Sequence, residues 1–138
     1  MKLISLLEKL EYTCLQGSTD QEVKNVVYDS RKVEEGSLFI CIRGAVVDGH
    51  KFVPDVVAKG AKVLIVEEAV EAPEDVTVIL VKDTRYAMAF ISAAYFGYPA
   101  EKLKTIGITG TKGKTTTTYM IRAVLEHAGQ KTGLIGTI

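Results

Sequence analysis

The residues best suited to chemistry form a stretch rich in glycine, lysine and threonine, GITGTKGKTTTT, at residues 107–118. Phosphate binds where the backbone N–H groups of a glycine-containing loop converge with the positive end of a helix dipole. A lysine in such a loop neutralises the β- and γ-phosphates, and a hydroxyl next to it joins the coordination shell of Mg²⁺. The stretch therefore predicts a nucleotide site in which Lys114 and Thr115 neutralise the charge of the phosphates, Thr115 by binding Mg²⁺.

The spacing of this stretch departs from the general phosphate-loop pattern G-x-x-x-x-G-K-[ST], because Ile108 stands where the pattern requires its first glycine. Gly110 and Gly113 still allow phosphate oxygens to approach the backbone without Cβ collisions. The simpler alternative is a glycine-containing turn whose threonines only cap a helix. A strand, two glycines, Gly-Lys-Thr and a helix in the correct order favour the nucleotide site. Lys112 is either a further phosphate contact or a solvated side chain.

The elements that must position this loop begin with four short apolar runs, which predict β-strands. Their apolar character is continuous and does not alternate, which is typical of strands covered on both faces. The runs are NVVY at 25–28, LFICI at 38–42, VLIV at 63–66 and TVILV at 77–81. Apolar residues at helical spacing predict helices near residues 3–10, 52–60 and 84–95, the last capped by Asp83 or Thr84.

A second unit follows the break at Gly97 and Pro99. The segment KTIGITG at 104–110 predicts a strand, the next residues predict a helix, and KTGLIGTI at 131–138 predicts a second strand. Ile108 is expected to be buried in the first strand. We expect an α/β protein with a small complete domain at 1–103 and the first βαβ unit of an unfinished domain at 104–138. The helix has an apolar stripe, formed by Met120, Ile121, Val124 and Leu125.

Composition limits the classes of partner. The chain has 138 residues, with 17 basic and 17 acidic side chains, so its formal net charge is zero. This balance argues against nucleic acid or an anionic membrane as an obligate partner. No apolar run is long enough to span a bilayer, and a cytoplasmic protein is expected. Cys14 and Cys41 are predicted to be reduced thiols, and His50 and His127 lack neighbouring ligands at metal spacing.

The segment TGTKGKTTT resembles the variant phosphate loop of the Mur ligases, T-G-T-x-G-K-T, in which the first glycine corresponds to Gly110. Lys112 occupies a position that is most often asparagine in that family. The segment from Tyr28 to Glu67 also resembles the N-terminal uridine-nucleotide domain of this family, through D-S-R, G-x-L-F, R-G, D-G-H and G-A in that order. Two separated motifs in the correct order make the resemblance specific.

The resemblance implies an ATP- and Mg²⁺-dependent ligase of peptidoglycan precursor synthesis. In this family the D-Glu carboxylate attacks the γ-phosphate of ATP, and the incoming amine then attacks the acyl phosphate. The implied ATP-binding residues are Gly110, Thr111, Lys112, Gly113, Lys114, Thr115 and Thr116. The implied contacts to the uridine end of the substrate are Tyr28, Ser30, Ala45, Val46 and Val47. Asp29 and Arg31 are expected to form a structural ion pair, and Ser30 could instead cap a turn.

Thr111 in the loop and the segment KTGLIGTI favour the members that add the third amino acid to UDP-MurNAc-L-Ala-D-Glu. That residue is L-lysine or diaminopimelate, and the sequence leaves both open. The alternatives are the type that adds D-Ala-D-Ala, or a non-catalytic nucleotide-binding module. The implied small-molecule substrates are the UDP-MurNAc-dipeptide, ATP and the amino acid. These 138 residues are expected to have no ligase activity alone.

Overall fold

The computed structural model describes residues 1–45 and 47–136. These residues fall into two compact units, Met1–Lys102 and Leu103–Ile138. The first unit is built around a β-sheet, and the second around one long helix.

The sheet of the first unit has five strands: β1 (Thr13–Gln16), β2 (Asn25–Val27), β3 (Ser37–Ile40), β4 (Val63–Val66) and β5 (Thr77–Leu80). Their order across the sheet is β1-β5-β4-β3-β2. The last four strands are mutually parallel, and β1 is antiparallel to β5. The four strands predicted from apolar runs are therefore confirmed, each to within two residues at its ends.

The helices of the first unit are α1 (Leu3–Leu7), α2 (Val53–Ala58), α3 (Thr84–Tyr95) and α4 (Pro99–Lys102). Two short 3₁₀ turns occupy Ser30–Lys32 and Gly49–Phe52. Asp83 caps α3, because its side chain accepts hydrogen bonds from the backbone N–H groups of Arg85 and Tyr86. Of the two predicted caps, Asp83 is the one used.

The sheet is covered on both faces, as its continuous apolar strands predicted. One face carries Leu38, Ile40, Val63, Ile65 and Ile79, which pack with the buried leucines of α1 and with Ala87, Ile91 and Ala94 of α3. The opposite face carries Phe39, Leu64, Val66 and Val78, which pack with Val53 and Val56 of α2. Consecutive residues of β3 and β4 thus point to opposite cores, because side chains alternate along a strand.

Strand β1 was not predicted. Its residues TCLQ are mostly exposed, so the strand lacks the apolar run that identified the others. It forms at the sheet edge through backbone pairing with β5, in the register Thr13 to Leu80. The Gln16 side chain adds hydrogen bonds to the carbonyls of Pro73 (2.6 Å) and Val76 (2.9 Å).

In the second unit, helix α5 (Lys114–His127) forms where predicted. The two strands predicted to flank it are wrong for the described residues: segments 104–110 and 131–136 are not in strands. A strand needs a neighbouring backbone to bond with, and no strand pairing involves residues 103–136. Ile108 is partly buried and not in a strand, contrary to expectation. Thr137 and Ile138 lie outside the described residues.

The apolar stripe of α5 is largely uncovered within this unit. Met120 is 66% exposed and Val124 is 69% exposed. Ile121 and Leu125 are partly buried. Helix α5 contains no fully buried residue among those described. In the described part of the chain, no helix is long and apolar enough to cross a membrane.

Candidate functional sites

The first candidate site lies at the carboxyl edge of the parallel strands. The loops that leave β2, β3 and β4 start from this same edge because the three strands run in one direction. In α/β sheets, ligands bind outside the carboxyl ends of the strands. Tyr28 and Ser30 follow β2, and Ala45 and Val47 follow β3. Val46 lies outside the described residues.

The loop after β2 is shaped by Asp29. Its carboxylate accepts hydrogen bonds from the backbone N–H of Arg31 at 3.0 Å and from the guanidinium of Arg31 at 2.9 and 2.8 Å. These bonds hold the pKa of the Asp29 carboxyl well below its usual range. The expected Asp29–Arg31 ion pair is confirmed. Asp29, and not Ser30, caps the 3₁₀ turn, and the Tyr28 side chain is 66% exposed.

The loop after β3 folds back on itself between Arg43 and Asp48, and we call this segment the 43–48 hairpin; its described residues are 43–45, 47 and 48. Arg43 and Asp48 form an antiparallel bridge, and the Gly44 N–H donates to the Val47 carbonyl at 2.9 Å. Ala45 is exposed and Val47 is 50% exposed. Neither side chain carries a polar atom. Hydrogen bonds from these two residues to a ligand must therefore use backbone N–H and C=O groups.

The motif Asp48-Gly49-His50 anchors this hairpin. Gly49 lies so close to the preceding chain that a Cβ atom there would stand 2.7 Å from the backbone nitrogen of Ile42. Asp48 accepts a hydrogen bond from the backbone N–H of His50 at 3.0 Å; this bond, together with a second one to the His50 ring, lowers the pKa of the Asp48 carboxyl. Burial raises the pKa of the nearby Cys41 thiol to about 12, so Cys41 stays protonated.

His50 is a residue whose role sequence reasoning missed. It is 8% exposed, and both of its ring nitrogens are used. Nδ1 lies 2.6 Å from an Asp48 carboxylate oxygen, and Nε2 accepts the Glu67 N–H at 3.0 Å. Glu67 in turn accepts hydrogen bonds from the N–H and hydroxyl of Thr84, at 2.8 and 2.7 Å. The sequence signal was an Asp two residues before a His, the spacing of a capped turn.

Ligand atoms of Asp48, His50 and Glu68 lie within 4.8 Å of one another. The structure thus brings carboxylates to His50, although its sequence neighbourhood suggested no metal ligands. Each member already has a partner, however: the His50 nitrogens are both hydrogen-bonded, and Glu68 is paired with Arg43. Arg43 also lies 3.5 Å from Asp48 and 3.7 Å from Glu67. The cluster is a network of hydrogen bonds and ion pairs, centred on Arg43 and His50, that joins the hairpin to the end of β4 and to α3.

The second candidate site is the loop before α5. Gly110 has φ +149° and Gly113 has φ +76°, values that side-chain-bearing residues rarely adopt. Gly113 is the N-cap of α5, and a Cβ there would meet no heavy atom within 4 Å. The Lys114 ammonium donates to the Gly110 carbonyl at 2.6 Å, so the side chain folds back across the loop.

The first turn of α5 is open for a ligand. No side chain in the described part of this unit caps its free N–H groups. Thr117 and Thr118 donate their hydroxyls to the carbonyls of Gly113 and Lys114, at 2.8 and 2.7 Å. Thr115 and Thr116 are exposed in the same turn, as are Thr111 and Lys112 in the loop. Free N–H groups, two lysines and exposed hydroxyls suit a phosphate group.

Two family models match the sequence. The model described as "Mur ligase family, catalytic domain" matches residues 22–96, and the "Mur ligase middle domain" model matches residues 108–138. The chain is 54% identical over its whole length to the UDP-N-acetylmuramoyl-L-alanyl-D-glutamate–2,6-diaminopimelate ligase of Clostridium perfringens. It spans 28% of the length of that relative.

Solved structures of Mur ligases are also similar to this chain. MurF from Acinetobacter baumannii is 33% identical, with a TM-score of 0.72 over 91% of this chain and 27% of that one. MurF ligase from Thermotoga maritima, solved in complex with ADP, is 26% identical, with a TM-score of 0.56 over 76% of this chain and 24% of that one. Because the first family model matches more than half of the 138 residues, the chain belongs to the Mur ligase family.

Proposed function

We propose that the chain is the N-terminal part of an ATP-dependent ligase that joins 2,6-diaminopimelate to UDP-MurNAc-L-Ala-D-Glu in peptidoglycan precursor synthesis. The observation that carries this proposal is 54% identity, over every residue of the chain, to a ligase named for that reaction. The name of this relative favours diaminopimelate over L-lysine. Since the chain spans 28% of its relative, residues 1–138 alone are expected to be inactive.

Residues 1–103 form the proposed binding domain for the UDP-MurNAc end of the substrate. Support comes from the shared carboxyl edge of β2 and β3, where both implicated loops begin. The exposed Tyr28 ring offers a surface on which a planar base can stack. Ser30 and the backbone of residues 45–47 supply the proposed hydrogen bonds.

Residues 104–138 form the proposed start of the ATP-binding domain. The relative from Thermotoga maritima was solved with ADP, which supports an adenine nucleotide as ligand. Positive φ angles at Gly110 and Gly113 and the uncapped first turn of α5 support phosphate binding by Gly110–Thr116. The Thr115 hydroxyl is a hard oxygen donor of the kind Mg²⁺ prefers, and phosphate and water oxygens would complete the metal's shell.

In the proposed mechanism, this chain supplies positioning and charge neutralisation. ATP, when bound, supplies the phosphoryl group that activates the D-Glu carboxylate. Lys114 would leave the Gly110 carbonyl, which it now contacts at 2.6 Å, and pair with phosphate oxygens. Backbone N–H groups at the start of α5 would hold the same phosphates through fixed dipoles, without reorganisation during the reaction.

A second candidate is the ligase type that adds D-Ala-D-Ala. The 33% identity and TM-score of 0.72 to MurF from Acinetobacter baumannii favour it. The two types differ in the nucleotide substrate: the first takes the UDP-MurNAc-dipeptide and the second takes the UDP-MurNAc-tripeptide. Both compounds share the UDP-MurNAc end that residues 1–103 are proposed to bind, so an activity assay of the full-length ligase with each compound and its amino donor separates the two types.

The proposed uridine site is tested by calorimetric titration of the chain with UDP-MurNAc-L-Ala-D-Glu, using a matched pair of variants. Ser30→Ala is expected to weaken binding of UDP-MurNAc-L-Ala-D-Glu roughly 2- to 10-fold, the effect of one hydrogen bond, while Ser92→Ala on α3 leaves it unchanged. Ligation of D-Ala-D-Ala to the tripeptide compound, and not of 2,6-diaminopimelate to the dipeptide compound, by the full-length ligase would contradict the diaminopimelate ligase proposal.

A further inference from the structure

We propose that His50 is a positioning residue for the uridine nucleotide, because its neutral imidazole holds the 43–48 hairpin in its binding shape. This inference rests on the proposed UDP-MurNAc site. It assigns a role to a buried histidine whose ring nitrogens, among the described residues, are hydrogen-bonded to Asp48 and Glu67.

The hairpin can bind a polar ligand only through correctly oriented backbone groups. The described residues at its tip are Gly44, Ala45 and Val47, which have no polar side-chain atoms. Recognition by backbone N–H and C=O groups requires those groups to point in fixed directions before the ligand arrives. The Gly44-to-Val47 hydrogen bond closes the hairpin but does not attach it to the sheet.

Arg43 attaches one end of the hairpin to the residues after β4 through its pairs with Glu67 and Glu68, and His50 attaches the other end. Its Nδ1 lies 2.6 Å from the carboxylate of Asp48, the last residue of the hairpin. Its Nε2 lies 3.0 Å from the backbone nitrogen of Glu67, directly after β4. A backbone N–H can only donate, so Nε2 must accept and the ring proton must reside on Nδ1. One tautomer of the neutral ring therefore satisfies both contacts.

The support continues beyond His50 into the helix layer. Glu67 accepts two hydrogen bonds from Thr84, the first residue of α3, and the Arg85 guanidinium donates to the Arg43 carbonyl at 3.1 Å. Both ends of the hairpin are thus connected to elements that pack in the core. The two His50 contacts, with Asp48 and with Glu67, can be removed one at a time by conservative substitutions of His50.

Two amide variants separate the contacts. In His50→Asn, the side-chain amide nitrogen replaces Nδ1 and keeps the donor to Asp48, while the contact to Glu67 is lost. In His50→Gln, the longer side chain places its amide oxygen near the position of Nε2 and keeps the acceptor for the Glu67 N–H, while the donor to Asp48 is lost. His127→Asn, at the exposed end of α5, is the matched control.

Binding of UDP-MurNAc-L-Ala-D-Glu to the chain is measured by calorimetry, and the melting temperature of each variant is measured alongside. We expect His50→Gln to raise Kd roughly tenfold, the value of one charge-assisted hydrogen bond, and His50→Asn to raise it roughly threefold or less. The two variants are expected to melt within a few degrees of each other. An affinity that simply follows the melting temperature would mean a purely structural role and would overturn the inference.

Nitrogen NMR of the imidazole gives a second readout. The chain has two histidines, so the His127→Asn variant leaves the His50 ring signals alone in the spectrum. A protonated Nδ1 and an unprotonated Nε2 are expected. A protonated Nε2, or a mixture of tautomers, overturns the inference.

The two proposals fail in different ways. If the unmodified chain does not bind the UDP-MurNAc-dipeptide, the proposed uridine site is wrong and the role of His50 falls with it. If the unmodified chain binds and His50→Gln binds equally well, only the role of His50 is wrong.

Discussion

The two units of the chain contrast in how they gain stability. In unit 1–102, four parallel strands are covered on both faces, and Leu64 and Ile65 point to opposite cores with no exposed surface. In unit 103–138, helix α5 has regular backbone geometry but no fully buried residue among those described. The first unit is therefore held by packing of buried side chains, and the second by local hydrogen bonds.

The same contrast separates the two candidate sites. The hairpin at 43–48 is attached to β4 and α3 through His50 and Arg43, so its shape comes from tertiary contacts. The candidate phosphate loop is shaped by two glycines and by the Lys114 contact to the Gly110 carbonyl, all within five residues of chain. A local motif of this kind is recognisable in sequence, whereas a site built through distant contacts is not.

The largest expected effect tests the packing contrast with one substitution in each unit. Ile65→Ala, in the central strand β4, should destabilise the first unit by about 2–5 kcal/mol, because it removes buried methylene groups and leaves a cavity. Ile106→Ala should change stability by less than about 0.5 kcal/mol, because Ile106 is 60% exposed. Urea denaturation followed by circular dichroism measures both. Equal losses would mean that the second unit has its own packed core.

An intermediate effect tests the phosphate loop. Lys114→Ala should weaken binding of Mg-ATP roughly 10- to 100-fold, the value of a charge-assisted contact, and leave the melting temperature unchanged because Lys114 is exposed. Lys112→Ala is the matched control in the same loop. If the two variants lose affinity equally, the loop acts as a general positive patch and Lys114 has no special position.

The smallest expected effect concerns surface ion pairs of the same i,i+4 type in both units. Lys59 lies 2.7 Å from Asp55 in the first unit, and Arg122 lies 2.8 Å from Glu126 in the second. Lys59→Gln and Arg122→Gln should each shift the melting temperature by no more than about 2 °C, because exposed pairs contribute little. A markedly larger shift for Arg122→Gln would show that the second unit depends on charge where the first depends on packing.

The sequence predicted the parallel strands because their apolar runs have a direct physical meaning: both faces must be buried. It missed β1, whose exposed residues TCLQ form a strand only because β5 offers an edge. It wrongly predicted strands beside α5 for a related reason. The runs around Ile108 and Ile135 have strand-like composition, but no strand in the described residues pairs with them.

The candidate sites divide in the same way. The spacing of Gly110, Gly113 and Lys114 predicted a candidate site that stays a prediction, whereas the Asp29–Arg31 ion pair was predicted from proximity and is confirmed. The Asp48–His50–Glu67–Thr84 chain could not, because its members come from a hairpin, a strand end and a helix start. Only the sheet register brings Glu67 to His50, and no local pattern encodes that register.

The antiparallel pairing of β1 with β5 has a consequence for folding order. Strands β2 to β5 lie in the sheet in the order in which they are synthesised, so each can pair with its predecessor as the chain leaves the ribosome. Strand β1 is made first, yet its partner Leu80 is made after all the other strands. Strand β1 can therefore pair only after β5 has been synthesised. Its docking onto the sheet should be a late folding step that depends on long-range loop closure.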